Sequence, residues 1–269
     1  MANIAATSEK GLRKFQQDSY RFNLIGGTAC LVVADGNGGN NAEVLSAKAA
    51  DSCMSCLSLA LSNGRDIGSD DCLRTIGIGA INFAADAVMQ EKDSNHNLAN
   101  AGTTITVVLA SPPRAGAFWI GDSGAYIYDS DGLLHLTNPL HTLAERLIEQ
   151  GQDPSIRTKQ PGLNSVLTRC AGHESCEPSS RIIRMEGQAI LLAGSDGVFG
   201  YLPEEALTDI LKNNLGECYD IRELVKSIVD TSLLVYNSDD NCTLIGCTIQ
   251  PHHKLACKTS YLTKLYEWR

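Results

Sequence analysis

In "LVVADGNGGNNAE", residues 31 to 43, a run of strand-forming residues ends in Asp35 and passes at once into glycines and asparagines. Branched apolar side chains fit a pleated sheet, and the lack of polar alternation over 31–33 predicts a buried strand. Asp35 then sits where that strand leaves the core, and Gly36, Gly38 and Gly39 let the backbone approach a ligand closely. One such aspartate is an ordinary turn residue. The setting recurs, however: Asp122 in "AFWIGDSGAYIY", Asp196 in "AILLAGSDGVFG" and Asp240 in "VYNSDDNCTLIGCTI" each end or follow an apolar strand, and Asp18 in "GLRKFQQDSYRF" begins one. Acids so placed are expected to converge on one edge of a sheet sandwich, and a cluster of like charges is costly unless cations neutralise it. Mg²⁺ and Mn²⁺, hard cations that take carboxylates, a backbone carbonyl and waters, suit such a set, with Gly36 offering the carbonyl. No histidine pair at zinc spacing competes: His141 and His173 stand alone, and His252 and His253 fall in the tail.

The elements that must position these acids run strands, helices, then strands again. Residues 21–34 give two short strands split by Gly26 and Gly27, and 43–92 is Ala- and Leu-rich and helical, broken by a polar turn at 63–71. Strands follow at 103–110, 115–120 and 125–129, joined by short turns and hence antiparallel. A short helix at 143–150 precedes a polar stretch, 151–163, with the character of a mobile loop or small flap. Strands are expected at 165–171, 181–185 and 189–193, helices at 203–212 and 221–232, and a last strand at 242–249. With no internal repeat or low-complexity linker, one domain over 1–250 and a C-terminal tail over 251–269 is the economical division.

The chain has 269 residues, 43% hydrophobic and 20% charged, which suits a globular protein with a large core. A net charge of −9 with no basic stripe argues against a nucleic-acid binder. Residues 1–20 hold no apolar stretch long enough for a signal peptide, and nowhere do about 18 apolar residues run together, so a cytoplasmic protein without membrane contact is expected. The ten cysteines are then reduced thiols, and Cys30, Cys170, Cys242 and Cys247 lie in apolar segments as small buried hydrophobes. Cys53 and Cys56 form a CxxC without a second pair, which reads as part of a core helix.

Taken in order, "GLRKFQQDS", "VVADGNGG", "AGTTITVVLA", "WIGDSGAYIY", "LLAGSDGVFG" and "DDNCTLI" resemble the motifs of the metal-dependent protein Ser/Thr phosphatases of the 2C type, in a stand-alone bacterial-like form. The resemblance covers nearly the whole chain. It implies an α+β fold, a four-layer αββα sandwich of two antiparallel sheets with helix pairs outside. It also implies a phosphoric monoester hydrolase acting on phosphoserine and phosphothreonine, through direct attack by a water bridging two Mn²⁺ or Mg²⁺ ions. Asp35 would bridge both metals with the Gly36 carbonyl on one, Asp196 and Asp240 would hold the second, and Asp18 would act mainly through water. Asp122 would serve a weaker third ion. Arg13 would grip the substrate phosphate with its planar donor fork. Phosphoproteins made by a Ser/Thr kinase are the implied partners, and a monomer the implied state.

The chain departs from the family at Gln17, Asn37, Gly124, Gly200, Pro139 and Leu140, where Glu, His, Arg, Asp, Asp and His are usual. These changes spare the two-metal set and fall on third-metal, general-acid and flap-side features. They keep a second reading open, a catalytically impaired domain that binds phosphoproteins or regulates. A carboxylate-based phosphodiesterase or nuclease is the third, against which the acidic balance counts.

Overall fold

The computed structural model describes residues 2–39, 41–62, 67–174, 176–214 and 220–249. The tail expected over 251–269 lies outside them. In chain order the elements are β1 (Asn3–Glu9), β2 (Asp18–Ile25), β3 (Thr28–Asn37), α1 (Ala42–Ser62), α2 (Asp70–Ser94), β4 (Gly102–Thr103), β5 (Ile105–Ser111), β6 (Arg114–Ile120), β7 (Gly124–Asp129) and β8 (Gly132–His135). Then come α3 (Leu143–Glu149), α4 (Ile156–Lys159), β9 (Ser179–Arg184), β10 (Ala189–Gly194), α5 (Asp196–Phe199), α6 (Glu204–Asn214), α7 (Ile221–Leu234) and β11 (Cys242–Ile249).

Two antiparallel sheets form, in the orders β1-β11-β10-β7-β8 and β2-β3-β5-β6-β9, with the short β4 beside β3. Strand alternation explains the layers. In β3 the side chains of Ala29, Leu31 and Val33 enter the core between the sheets, while Cys30, Val32 and Ala34 face α1 and α2. In β11, Ile245, Cys247 and Ile249 face the same inter-sheet core, and Cys242 and Leu244 face α6 and α7. A strand covered on both faces needs no polar alternation, which is why these runs are continuously apolar. The result is helix pair, sheet, sheet, helix pair, the αββα arrangement anticipated from the motifs.

The helices carry matching stripes. On α1, Leu45, Ala49, Cys53, Leu57 and Leu61 recur every four residues and are buried. Ser69 caps α2 by accepting a hydrogen bond from the Cys72 amide, and Asp220 caps α7 through the Arg222 amide. Both α1 and α2 are long and apolar enough to cross a bilayer by length and composition, yet each packs its stripe on a sheet. Cys53 is buried on α1 with Sγ 3.5 Å from the Ala80 carbonyl, burial pushes its thiol up, and the described cysteines are free, so the CxxC is part of this core.

Three local expectations change. β1 forms where no strand was expected, because it is a sheet edge with one deeply buried side chain, Ala5, and so lacks an apolar signature. Segment 165–171 is not a strand and makes only the isolated bridges Thr142↔Leu167 and Thr103↔Ala171. The stretch 151–163 contains α4 and the start of a 3₁₀ turn at Pro161–Ser165, tied down by Arg157 on Glu145 and by the Asn164 amide on the Arg157 carbonyl.

The approach of α2 to β6 depends on a glycine. A Cβ at Gly77 would lie 2.3 Å from ring carbons of the fully buried Phe118. Gly77→Ala gains about 1 kcal/mol of helix propensity but overpacks the core, which costs about 1–3 kcal/mol. A net loss is expected, seen as a lower urea midpoint at unchanged m-value; a raised midpoint would show that α2 can shift freely.

Candidate functional site

Asp35 continues the odd-numbered series of β3 and therefore faces the inter-sheet space at the point where its apolar filling ends. Asp18 stands directly opposite on β2, and Tyr20, two residues on and opposite Val33, packs into the same inter-sheet core. Opposed residues of an antiparallel pair share a face, so register alone brings these two carboxylates together. From the other sheet, Ser195 follows β10 and Thr243 lies in β11. Ser195 Oγ donates to Asp18 Oδ2 at 2.7 Å and accepts from the Thr243 amide at 3.1 Å. One end of the sandwich is thus lined by polar groups from both sheets.

The motif residues around the acids serve as braces. The Asp35 amide donates to Thr104 Oγ1 at 3.0 Å, and the Asp35 carbonyl accepts from the Thr104 amide at 2.8 Å and from Thr103 Oγ1 at 3.0 Å. Thr104 Oγ1 also meets Ser123 Oγ at 2.7 Å, which couples Asp35 to the turn holding Asp122. Asn241 donates from Nδ2 to the carbonyls of Lys10 and Phe15 and accepts the Gln17 amide at Oδ1, clamping the loop that carries Arg13. Sequence reasoning assigned no roles to Thr104, Ser195 or Asn241, although all three lie inside the quoted motifs.

Asp18, Asp35, Asp122, Asp196 and Asp240 are close enough to act on one another. Burial above all, and then the charges of Asp18, Asp196 and Asp122, hold the Asp35 carboxyl well above the usual range. Burial and then Asp196 raise Asp122; burial and then Asp240 raise Asp196. Asp18 is pushed up to about 7 by burial, against the opposing hydrogen bonds of Ser195 and Thr243. Arg13 Nη2 donates to Asp240 Oδ2 at 2.7 Å from a half-exposed position at the rim.

Among the described residues no three His, Cys, Asp or Glu side chains already converge as a metal-ligand set, and Asp18 is held by the Ser195 hydroxyl instead. The chemistry still fits hard divalent cations. Asp18 Oδ1 and Asp196 Oδ1 are buried acceptors without a hydrogen-bond partner, and all five acids offer oxygen. A buried acceptor left unpaired is costly, and a bound cation removes that cost.

The departures have structural counterparts. Gln17 holds the helix start, its carbonyl accepting from the Gly36 amide and Ser46 Oγ. Asn37 Nδ2 is buried without a partner. A Cβ at Gly124 would lie 2.6 Å from the Phe199 ring, so in this chain Phe199 takes space that a larger residue there would need. The Gly200 amide closes α5 on the Asp196 carbonyl, and the Pro139 carbonyl accepts from Trp119 Nε1. Beside it, His141, read from sequence as a lone surface or core residue, is buried at the Gly121–Asp122 turn. Its Nδ1 accepts the Gly121 amide, its own amide donates back to the Gly121 carbonyl, and burial with Arg169 lowers it to about 4. No sequence signal distinguished it.

The sequence pattern of the protein phosphatase 2C family matches residues 10–230. The serine/threonine protein phosphatase PstP of Mycobacterium tuberculosis is 25% identical over 210 residues, which is 77% of this chain but 38% of that protein, so the chain spans less than half the length of this relative. Among solved structures, Stp1 of Staphylococcus aureus superposes with a TM-score of 0.79 at 20% identity, covering 93% of this chain and 96% of that one. The catalytic domain of PstP in complex with two manganese ions superposes at 0.74 with 22% identity, covering 93% and 99%. At those identities the structural likeness is one of fold.

In metal-free protein, raised carboxyls keep protons that the unfolded chain, with carboxyls near 4, has already lost. Their contribution to stability is therefore present below about pH 4 and lost as pH rises through 7, the position of Asp18. Chelated protein should melt at a lower temperature at pH 8 than at pH 5, Asp35→Asn should shrink that difference, and Mn²⁺ should raise the melting temperature most at pH 8. A difference unaffected by Asp35→Asn would show that other groups govern it.

Proposed function

The chain belongs to the protein phosphatase 2C family, and on that premise we propose that it is a metal-dependent protein serine/threonine phosphatase. The observation that carries this reading is the meeting of Asp18, Asp35, Asp122, Asp196 and Asp240 at one end of the inter-sheet space, with Arg13 on their rim. Residues 1–250 act as one catalytic domain, with 151–163 as its flap. Asp35, the Gly36 carbonyl, Asp196 and Asp240 would hold two Mn²⁺ or Mg²⁺ ions, Asp18 would support them through water, and Asp122 would hold a weaker third. Such cations, when bound, supply Lewis-acid activation of water for in-line attack on phosphorus.

The chain's own groups do the rest. Arg13, paired here with Asp240, would turn to the substrate phosphate, and its two-pronged fork would orient the phosphoryl group. Asn241 holds the Arg13 loop in register with the acids, and Thr103 and Thr104 fix the Asp35 backbone. Asn37 carries no titratable proton, so it cannot act as the acid for the leaving oxygen. The substrates are phosphoserine and phosphothreonine proteins produced by a kinase, met by a monomer in the cytoplasm. The competing reading, an impaired phosphoprotein-binding module, has less support because the departures leave the acid set whole.

Hydrolysis of a phosphothreonine peptide should require added Mn²⁺ or Mg²⁺ and stop with chelator; full turnover without metal, or preference for phosphotyrosine, would refute the assignment. Asp35→Asn should cost more than about a hundredfold in kcat/KM, beyond the effect of losing a supporting partner. Arg13→Ala should lose about tenfold to hundredfold in kcat/KM, as expected for a charged hydrogen bond to phosphate, with Mn²⁺ affinity nearly unchanged. If Mn²⁺ affinity falls and peptide kinetics do not, Arg13 is only a structural partner of Asp240.

A further inference from the structure

Beside the acid cluster lies a cavity of about 290 Å³ lined by Leu140, His141, Thr142, Arg146, Glu149, Thr168 and Arg169. It is too small for a cofactor and the right size for one polar side chain. Its position is set by His141, whose main chain and ring both bond Gly121, the residue next to Asp122. A neighbouring residue of an extended peptide, at about 3.3 Å per residue, can therefore reach the cavity while its phosphorylated residue lies at the acids.

The cavity's charges are not spent internally. Arg146 on α3 has no side-chain partner among the described residues, because the adjacent carboxylate, Glu145, is held at both oxygens by Arg157. Arg169 uses only Nη1, in long contacts of 3.3 Å to His141 Nε2 and 3.4 Å to the Glu177 carbonyl and Ser179 Oγ. Among the described residues its other guanidinium donors meet no partner, which leaves them for a planar acceptor. Glu149, on the same turn of α3, is the opposing charge at the cavity edge.

We propose that this cavity is an anion subsite that binds a carboxylate or a second phosphate of the protein substrate, flanking the residue to be dephosphorylated. The proposal rests on the phosphatase reading for its geometry and gives that activity a preference for acidic or multiply phosphorylated sequences. Because Arg146 is exposed, solvent screens its pairing and the effect is modest, about threefold to tenfold in KM for the subsite as a whole.

The test compares three phosphothreonine peptides at saturating Mn²⁺: one flanked on both sides by aspartate, one by alanine, and one carrying a second phosphate. The acidic peptides should have a KM about threefold to tenfold below that of the alanine peptide. Arg146→Ala should reduce this ratio to nearly one, Arg146→Lys should keep part of it, and Glu149→Gln should enlarge it. That opposite response is one a merely structural role for α3 would not give. Whichever acidic peptide has the lower KM identifies the source of the anion. Equal KM values in the unsubstituted protein, or a ratio indifferent to Arg146→Ala and Glu149→Gln, overturns the subsite. If no peptide is turned over, the phosphatase reading fails, and fluorescence anisotropy of the same labelled peptides tests the cavity independently through the same ratio of Kd.

Discussion

Several carboxylates are buried against one another at the end of an apolar sandwich, and the surrounding structure answers to that cost. Like charges in a low-dielectric setting repel strongly, so they stay together only where the backbone holds them and where protons or cations neutralise them. Without metal, the hydroxyl of Ser195 and the Arg13 guanidinium do that work incompletely, and two carboxylate oxygens remain without partners. That remainder is the physical basis for assigning divalent cations to the site.

Holding the acids demands unusually close approach of backbones from distant parts of the chain. A Cβ on Gly197 would lie 2.0 Å from the Asn241 carbonyl oxygen, and one on Gly11, whose φ is +61°, would lie 2.1 Å from that of Asp240. The turn after β10, the loop after β1 and the turn before β11 can therefore meet only because glycine stands at these crossings. The Gly197 carbonyl is further bonded by Ser232, Ser238 and Cys242, which anchors the Asp196 turn to α7 and β11. Helix packing on the outer face of one sheet is in this way connected to an acid on its inner side.

The substitutions relative to the family pattern sit around this centre. Gly124 leaves room that Phe199 fills, Gln17 anchors the first helix, and Leu140 opens onto the small cavity beside Arg146 and Arg169. The acids and their braces stay in contact in spite of them. On the proposed reading, substrate selection lies with that cavity and its arginines, and the inter-sheet acids serve the chemistry.

Much of this was legible in the sequence, because strands write their own period. Continuous apolar runs ending at Asp35-Gly36, Asp122-Ser123 and Ser195-Asp196-Gly197 placed these acids at strand ends, and the resemblance of the motifs implied two antiparallel sheets between helix pairs. Alternation could even set the face of Asp35, since it continues Leu31 and Val33. Partnership between residues far apart in sequence was not legible: Arg13 meets Asp240 across 227 positions, Ser195 meets Asp18 across 177, and Asn241 clamps a loop 226 to 231 positions away. Edge strand β1, the helical turns within 151–163 and the buried setting of His141 were hidden for the same reason. Local pattern records which side chains prefer burial and where the chain turns, whereas register between sheets, and with it every contact that holds the acids, exists only once the two sheets have packed.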